Sequence, residues 1–199
     1  KGGVQLTNYE FSADAYEENR HFFLAHFFRD KYNANMAQLP TITSGIKINR
    51  VEIWVTNKNG STTNTRNLVA MADLGEHDYI GNPLWTPGAD VNPCNAANSL
   101  YSYLANELAA ARDISQATQT LDGFGLSGGV DYEKLENARL LNSSEYTVNT
   151  ALGYVSLRTS LQTDQVLAIA YEYNYGGQTY QVGEFASDVT DVNKALFVK

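Results

Sequence analysis

Residues 165–185 constrain this chain more than any other stretch. Gln165–Tyr175 reads as a long β-strand and Gln178–Phe185 as its partner, with Gly176-Gly177 as a two-residue hairpin loop. Leu167, Ile169, Tyr171, Tyr173 and Tyr175 share one face of the first strand, and Val166, Ala168, Ala170, Glu172 and Asn174 share the other. The strand is apolar on both faces at its start and on one face at its end. Such a strand begins inside packed β-structure and runs out toward solvent.

A second β-region precedes it. Thr43–Thr56 reads as a strand in which Val51, Ile53 and Val55 alternate with Arg50, Glu52 and Trp54. Ile46 and Ile48 have the opposite parity, and a bulge near Asn49 reconciles the two halves. Asn57-Lys58-Asn59-Gly60 carries a hairpin turn signal, which predicts a return strand over Arg66–Leu74. Tyr146–Val148 and Tyr154–Leu157 flank a turn at Thr150–Gly153, and Tyr132–Leu141 fits a short helix or a strand equally well.

Two helices are expected. Tyr9–Ala37 places Tyr16, Phe23, Leu24, Phe27 and Phe28 on one apolar stripe, with Ser12 or Asp14 as the cap and Pro40 closing the segment. Ala97–Asp113 aligns Ala97, Leu100, Leu104, Leu108 and Ala111. Between strand and helix, Glu76–Asn95 holds Gly81, Pro83, Pro87, Gly88 and Pro93, a long irregular connection anchored by Tyr79 and Trp85. The expected fold is therefore α+β: an antiparallel sheet or sandwich with two main helices packed on it, in one composite domain over residues 1–199. The chain opens on Lys1-Gly2-Gly3 and stops in apparent mid-strand, and it reads as a fragment excised from a larger protein.

Composition removes several functions. The 199 residues carry 14 Lys plus Arg against 22 Asp plus Glu, a net charge of −8, which lacks the basic footprint of a nucleic-acid binder. The single Cys94 permits no intrachain disulfide framework and no cysteine-cluster zinc site. The longest apolar run, Val166–Tyr171, is far below the roughly 20 residues of a spanning helix.

The catalytic motifs are weak. Gly123-Phe124-Gly125-Leu126-Ser127-Gly128 spells a dinucleotide loop, but polar residues 115–120 stand where its buried strand should be. Asp73, Glu76, His77 and Asp78 crowd together without matching a calcium or zinc pattern. His21 and His26, five apart, point in different directions on a helix. Cys94 has no basic neighbour to activate it. No catalytic, cofactor-binding or metal-binding residues are expected, and the chain is not expected to be an enzyme. Candidate contact residues are Tyr79 and Trp85 in the long loop, Asn59 at the hairpin tip, and Tyr173 and Tyr175 among the 13 tyrosines.

Several stretches carry a resemblance. They are His21-Phe22-Phe23-Leu24-Ala25-His26-Phe27-Phe28-Arg29-Asp30, Asn49-Arg50-Val51-Glu52-Ile53-Trp54-Val55-Thr56-Asn57, Asn67-Leu68-Val69-Ala70 and Asp73-Leu74-Gly75-Glu76. Ala138-Arg139-Leu140-Leu141, Leu152-Gly153-Tyr154-Val155-Ser156-Leu157, Val166-Leu167-Ala168-Ile169-Ala170-Tyr171-Glu172-Tyr173 and Tyr180-Gln181-Val182-Gly183-Glu184-Phe185 continue in the same order. Together they resemble an internal segment of the SprA (Sov) family of gliding-motility and type IX secretion proteins of the Bacteroidota. Residues 113–129 match least. The resemblance implies a non-catalytic structural or gating module of an outer-membrane translocon, exposed to the cell surface or the periplasm. Its implied partners are a PorV-type shuttle protein, a periplasmic plug and exported cargo. The competing expectation is a cell-surface glycan-binding β-sandwich that stacks sugars on its tyrosines.

Overall fold

The computed structural model of the chain describes residues 17–199. The expected hairpin forms β7 (Leu167–Tyr175) and β8 (Gln178–Val182), with Gly176 and Gly177 both at positive φ, as a two-residue turn between right-twisted strands requires. β7 pairs along its length with β2 (Lys47–Val55), and the register slips between Ile48 and Arg50. That slip is the bulge expected at Asn49, and it keeps Ile46, Ile48, Ile53 and Val55 on one side.

The predicted hairpin between residues 43 and 74 does not form. β3 (Thr65–Met71) lies two places from β2, because β4 (Tyr132–Leu140) inserts between them as a central strand. The Asn57 amide explains the independent loop. Its Nδ2 donates to the Ser61 carbonyl and its Oδ1 accepts from the Ser61 N–H, so the turn closes on itself rather than on a partner strand. β9 (Leu196–Val198) then runs parallel to β3, which makes the six-stranded sheet mixed rather than antiparallel. Its order is β8-β7-β2-β4-β3-β9.

The β9 end of this sheet reaches back to β7. Ile169 of β7 and Lys199, just past β9, exchange both backbone hydrogen bonds, at 2.6 and 2.9 Å. The sheet thereby closes on itself, and alternation divides its side chains into an inner and an outer set. Trp54, Leu68, Ala70, Leu135, Ala138, Ala168, Ala170, Phe185, Leu196 and Val198 form the inner core. Four alanines among these residues leave room for large side chains, and Trp54, 1% exposed, is the largest of them, with Phe185 beside it in the same cluster. Arg66 Nη2 donates to the carbonyls of Val189, Asp191 and Lys194, tying the 189–194 loop to the barrel.

The outer face is covered by a small antiparallel sheet, β1 (His21–Phe23), β6 (Tyr154–Leu157) and β5 (Tyr146–Asn149), and by three short helices. The expected turn at residues 150–153 joins β5 to β6. The long first helix is shorter than expected. Residues 9–16 of that span, with Ser12, Asp14 and Tyr16, lie outside the described residues, 21–23 are strand, and only α1 (His26–Met36) is helical. Ala25 is extended, and Phe22 and Phe23 pair with Val155 and Tyr154, a pleated environment that suits aromatics. The aromatic stripe still packs: Phe28 is fully buried against Tyr171 and Tyr173.

The second expected helix is broken into α2 (Leu100–Asn106) and a 3-10 turn at Ala109–Arg112. Leu100, Leu104, Leu108 and Ala111 nevertheless all face the core, as their spacing implied. The glycine-rich region is part helix, α3 (Ala117–Phe124), with Gly125 as its left-handed cap. Over the described residues the fold is sheet-dominated with mixed α/β content and three α-helices, not two long helices on one sheet.

Trp54 is the largest side chain of this inner core. Trp54→Ala is expected to lower unfolding stability by about 3–5 kcal/mol, and Leu39→Ala, at a side chain 55% exposed, by under about 0.5 kcal/mol. Urea denaturation of the two variants checks both values.

Candidate functional site

The irregular 76–95 connection is held down rather than loose. The Asp73 carboxylate accepts from the N–H groups of Gly81 and Asn82 at 2.9 and 2.8 Å. Asn98 Nδ2 donates to the carbonyls of Asp73 and Glu76, and Asn95 exchanges hydrogen bonds with Gly183. These anchors carry the loop across α1 and fix Tyr79 there. The Tyr79 ring stacks on His26 at 4.5 Å, and its hydroxyl donates to Asp30 at 2.5 Å. Arg29 lies 5.6 Å above the same ring. The Tyr79 hydrogen bond holds Asp30 below the usual carboxylate range, and Asp30 in turn raises the Tyr79 hydroxyl.

Tyr175 reaches the other side of α1. It packs edge-on against Phe27 at 5.4 Å, and the Lys31 ammonium lies over both rings. α1 thus brings together two of the expected contact residues, Tyr79 and Tyr175, around Phe27, Arg29 and Lys31. A shallow cavity of about 400 Å³ opens between α1 and the loop, lined by Phe27, Lys31, His77, Tyr79 and Val91 among others. Exposed tyrosine and arginine on a rigid base are what protein interfaces concentrate at their centres. The α1 residues Arg29 and Lys31 were not among the sequence candidates; only their position next to the aromatic stripe hinted at them.

The other candidates separate. Trp85 is 4% exposed and stacks on Phe124, so it anchors the loop and presents no contact surface. Tyr173 is fully buried, as is Tyr171, so β7 does not offer the ladder of exposed tyrosines that a sugar platform needs. Asn59 is exposed and lines a different cleft, together with Lys58, Arg139 and Arg158.

The weak motifs resolve into structural roles. Gly123 and Gly125 sit at the C-terminal end of α3, so the glycine run does not present a helix N-terminus to a phosphate. Glu76 pairs with Lys199 at 2.8 Å and His77 with Asp78 at 2.7 Å, while Asp73 is occupied by the loop. Among the described residues, no group of three His, Cys, Asp or Glu side chains could hold a metal ion. His21 bonds to Ser156 and Glu17, away from the His26–Tyr79 stack. Among the described residues, no helix is long and apolar enough to cross a membrane. In comparisons with known proteins, the chain matches no protein-family profile and no curated protein.

Two local chemistries are testable. Cys94 is buried, and burial pushes its thiol up from the ordinary value. A thiol reagent at pH 8 is expected to modify it only in denaturant, read by mass spectrometry. Glu145 is held below its usual value by the Arg139 hydrogen bonds at 2.8 and 3.0 Å. A lowered carboxylate contributes stability above its unfolded value of 4.5, and that contribution fades as pH falls through the folded value. Arg139→Gln should therefore lower Tm at pH 7 and narrow its gap to the wild type as pH falls from about 5 to 3, followed by thermal melts.

Proposed function

We propose that this chain is a non-catalytic structural or gating module of an outer-membrane type IX secretion translocon, a segment of a SprA-family protein, and that α1 with Tyr79 and Tyr175 is its contact face. The family reading rests on the ordered sequence stretches that resemble that family. The observation that supports a contact role is the α1 surface itself, where exposed Tyr79 and Arg29 are fixed by His26 and Asp30 rather than free to reorient. A pre-ordered aromatic surface loses little conformational entropy when a partner covers it.

The buried charges support a scaffold role. Glu184, Arg112, Arg66, Glu76 and Lys199 each bind a loop or a strand end, and none is turned into a cleft as an unpartnered acid or base. In this reading the module belongs to an outer-membrane protein and faces the cell surface or the periplasm. Its neighbours there are the PorV-type shuttle, the periplasmic plug or cargo in transit. The glycan-binding alternative loses its platform with the burial of Tyr171 and Tyr173.

The test places a photo-cross-linking amino acid at Tyr79 of the full-length protein in a type IX-secreting bacterium, and a second at the remote, 75% exposed Val130. Mass spectrometry is expected to recover shuttle, plug or cargo from the Tyr79 position and not from Val130. Recovery of polysaccharide alone, or equal yields at both positions, would overturn the reading.

A further inference from the structure

The cleft beside Asn59 is separate from the α1 surface and has its own chemistry. It encloses about 470 Å³ beneath the 56–64 and 158–165 loops. Its floor is aliphatic: Val55 from β2, Leu141 just past β4, and Leu157 from β6, each under 10% exposed. Its walls carry three cations, Lys58, Arg139 and Arg158, against the carboxylates of Glu145 and, at the mouth, Asp164. One positive charge is left uncompensated there, in a chain of net charge −8.

The three cations are not equivalent. Arg139 is bidentate to Glu145, whose Oε2 also accepts from the Asn142 N–H, so this pair braces the turn between β4 and β5. Lys58 pairs with Asp164 across the mouth. Among the described residues, Arg158 makes no side-chain hydrogen bond or ion pair, while its backbone N–H is tied to the Glu145 carbonyl at 2.9 Å. Its backbone is fixed and its guanidinium is uncommitted. The side-chain amides of Asn59 and Gln162 line the same wall and have no hydrogen-bond partner among the described residues.

We propose that this cleft binds an acidic peptide segment, with a carboxylate on Arg158, an adjacent aliphatic side chain on the Val55–Leu141–Leu157 floor, and the peptide main chain on Asn59 and Gln162. The pieces argue for one occupant. A guanidinium recognises a carboxylate through two parallel hydrogen bonds. An aliphatic floor accepts leucine or valine, and the cleft has no aromatic ring on which a sugar could stack. Unpaired carboxamides carry both a donor and an acceptor, the complement of a peptide bond.

The experiment is an amide NMR titration of the 199-residue chain with the capped tripeptide Ac-Leu-Glu-Leu-NH2. Ac-Leu-Gln-Leu-NH2 and sodium acetate serve as comparison probes. The expected result is saturable shifts at Lys58, Asn59, Leu157 and Arg158, weakening about tenfold in Arg158→Gln, a loss in the range of one charge-assisted hydrogen bond. Arg158 is exposed and the variant removes no side-chain hydrogen bond or ion pair among the described residues, so it is expected to keep the fold, which the unperturbed α1 resonances verify. Equal shifts with the glutamine peptide would overturn the carboxylate role. Equal affinity for acetate would overturn the peptide and leave a simple anion site. Shifts centred on α1 instead would overturn the cleft. None of these outcomes depends on the translocon reading, which the cross-linking at Tyr79 tests on its own.

Discussion

The rest of the structure depends on how β9 is held. The strand is three residues long, too short to persist on its own ladder, yet it closes the sheet between β3 and β7. Each end is clamped by a buried ion pair. At one end Arg112 is bidentate to Glu184 at 2.9 and 2.6 Å, donates to the Ala195 carbonyl and lies 4.2 Å over the Phe197 ring. Glu184 also takes the Phe197 N–H and the Tyr101 hydroxyl, whose pKa is pushed up to about 12 by burial and this neighbour. At the other end Lys199 reaches Glu76 and the carbonyls of Ala72 and Leu74, although burial pulls its ammonium down.

Such pairs are a costly way to gain stability, because both charges must leave water. What they supply here is position. An apolar strand of three residues could slide by one register and exchange its inner and outer faces, sending Phe197 into the space that Leu196 and Val198 occupy. A guanidinium at one end and an ammonium at the other allow one register only. The same clamps join α2 and the 76–95 loop to the barrel, and so set the ground on which Tyr79 and α1 stand.

How much of this was legible follows from the locality of each signal. The Gly176-Gly177 hairpin, the Asn49 bulge and the β5–β6 turn are written within a few residues of themselves, and all three form. β4 was ambiguous for a physical reason. Its buried residues Tyr132, Leu135 and Ala138 are spaced by three, as on a helix, because the register slips opposite Arg66–Leu68 and Asn137 takes a positive φ. The Asn59-Gly60 turn signal points to a β2–β3 hairpin, and nothing local to it shows that β4 comes between the two strands. The contact residues divide similarly. Exposure of Trp85 or Tyr173 is decided by remote elements, Phe124 and Phe28 among them, that no window around either residue contains. The role of Arg158 depends on Glu145 and Leu141 reaching it from another part of the chain.

The closure also orders events in time. β2 waits for β7, β3 waits for both β4 and β9, and the final hydrogen-bonded pair includes Lys199. A chain emerging from the ribosome therefore carries Trp54 and the alanines around it as an unfilled, half-built shell until the last of these residues has been made. Loops that must close over such separations make folding slow, and an open sheet edge is adhesive while it waits. The edges of β3 and β7 stay open until Lys199 is available to close them.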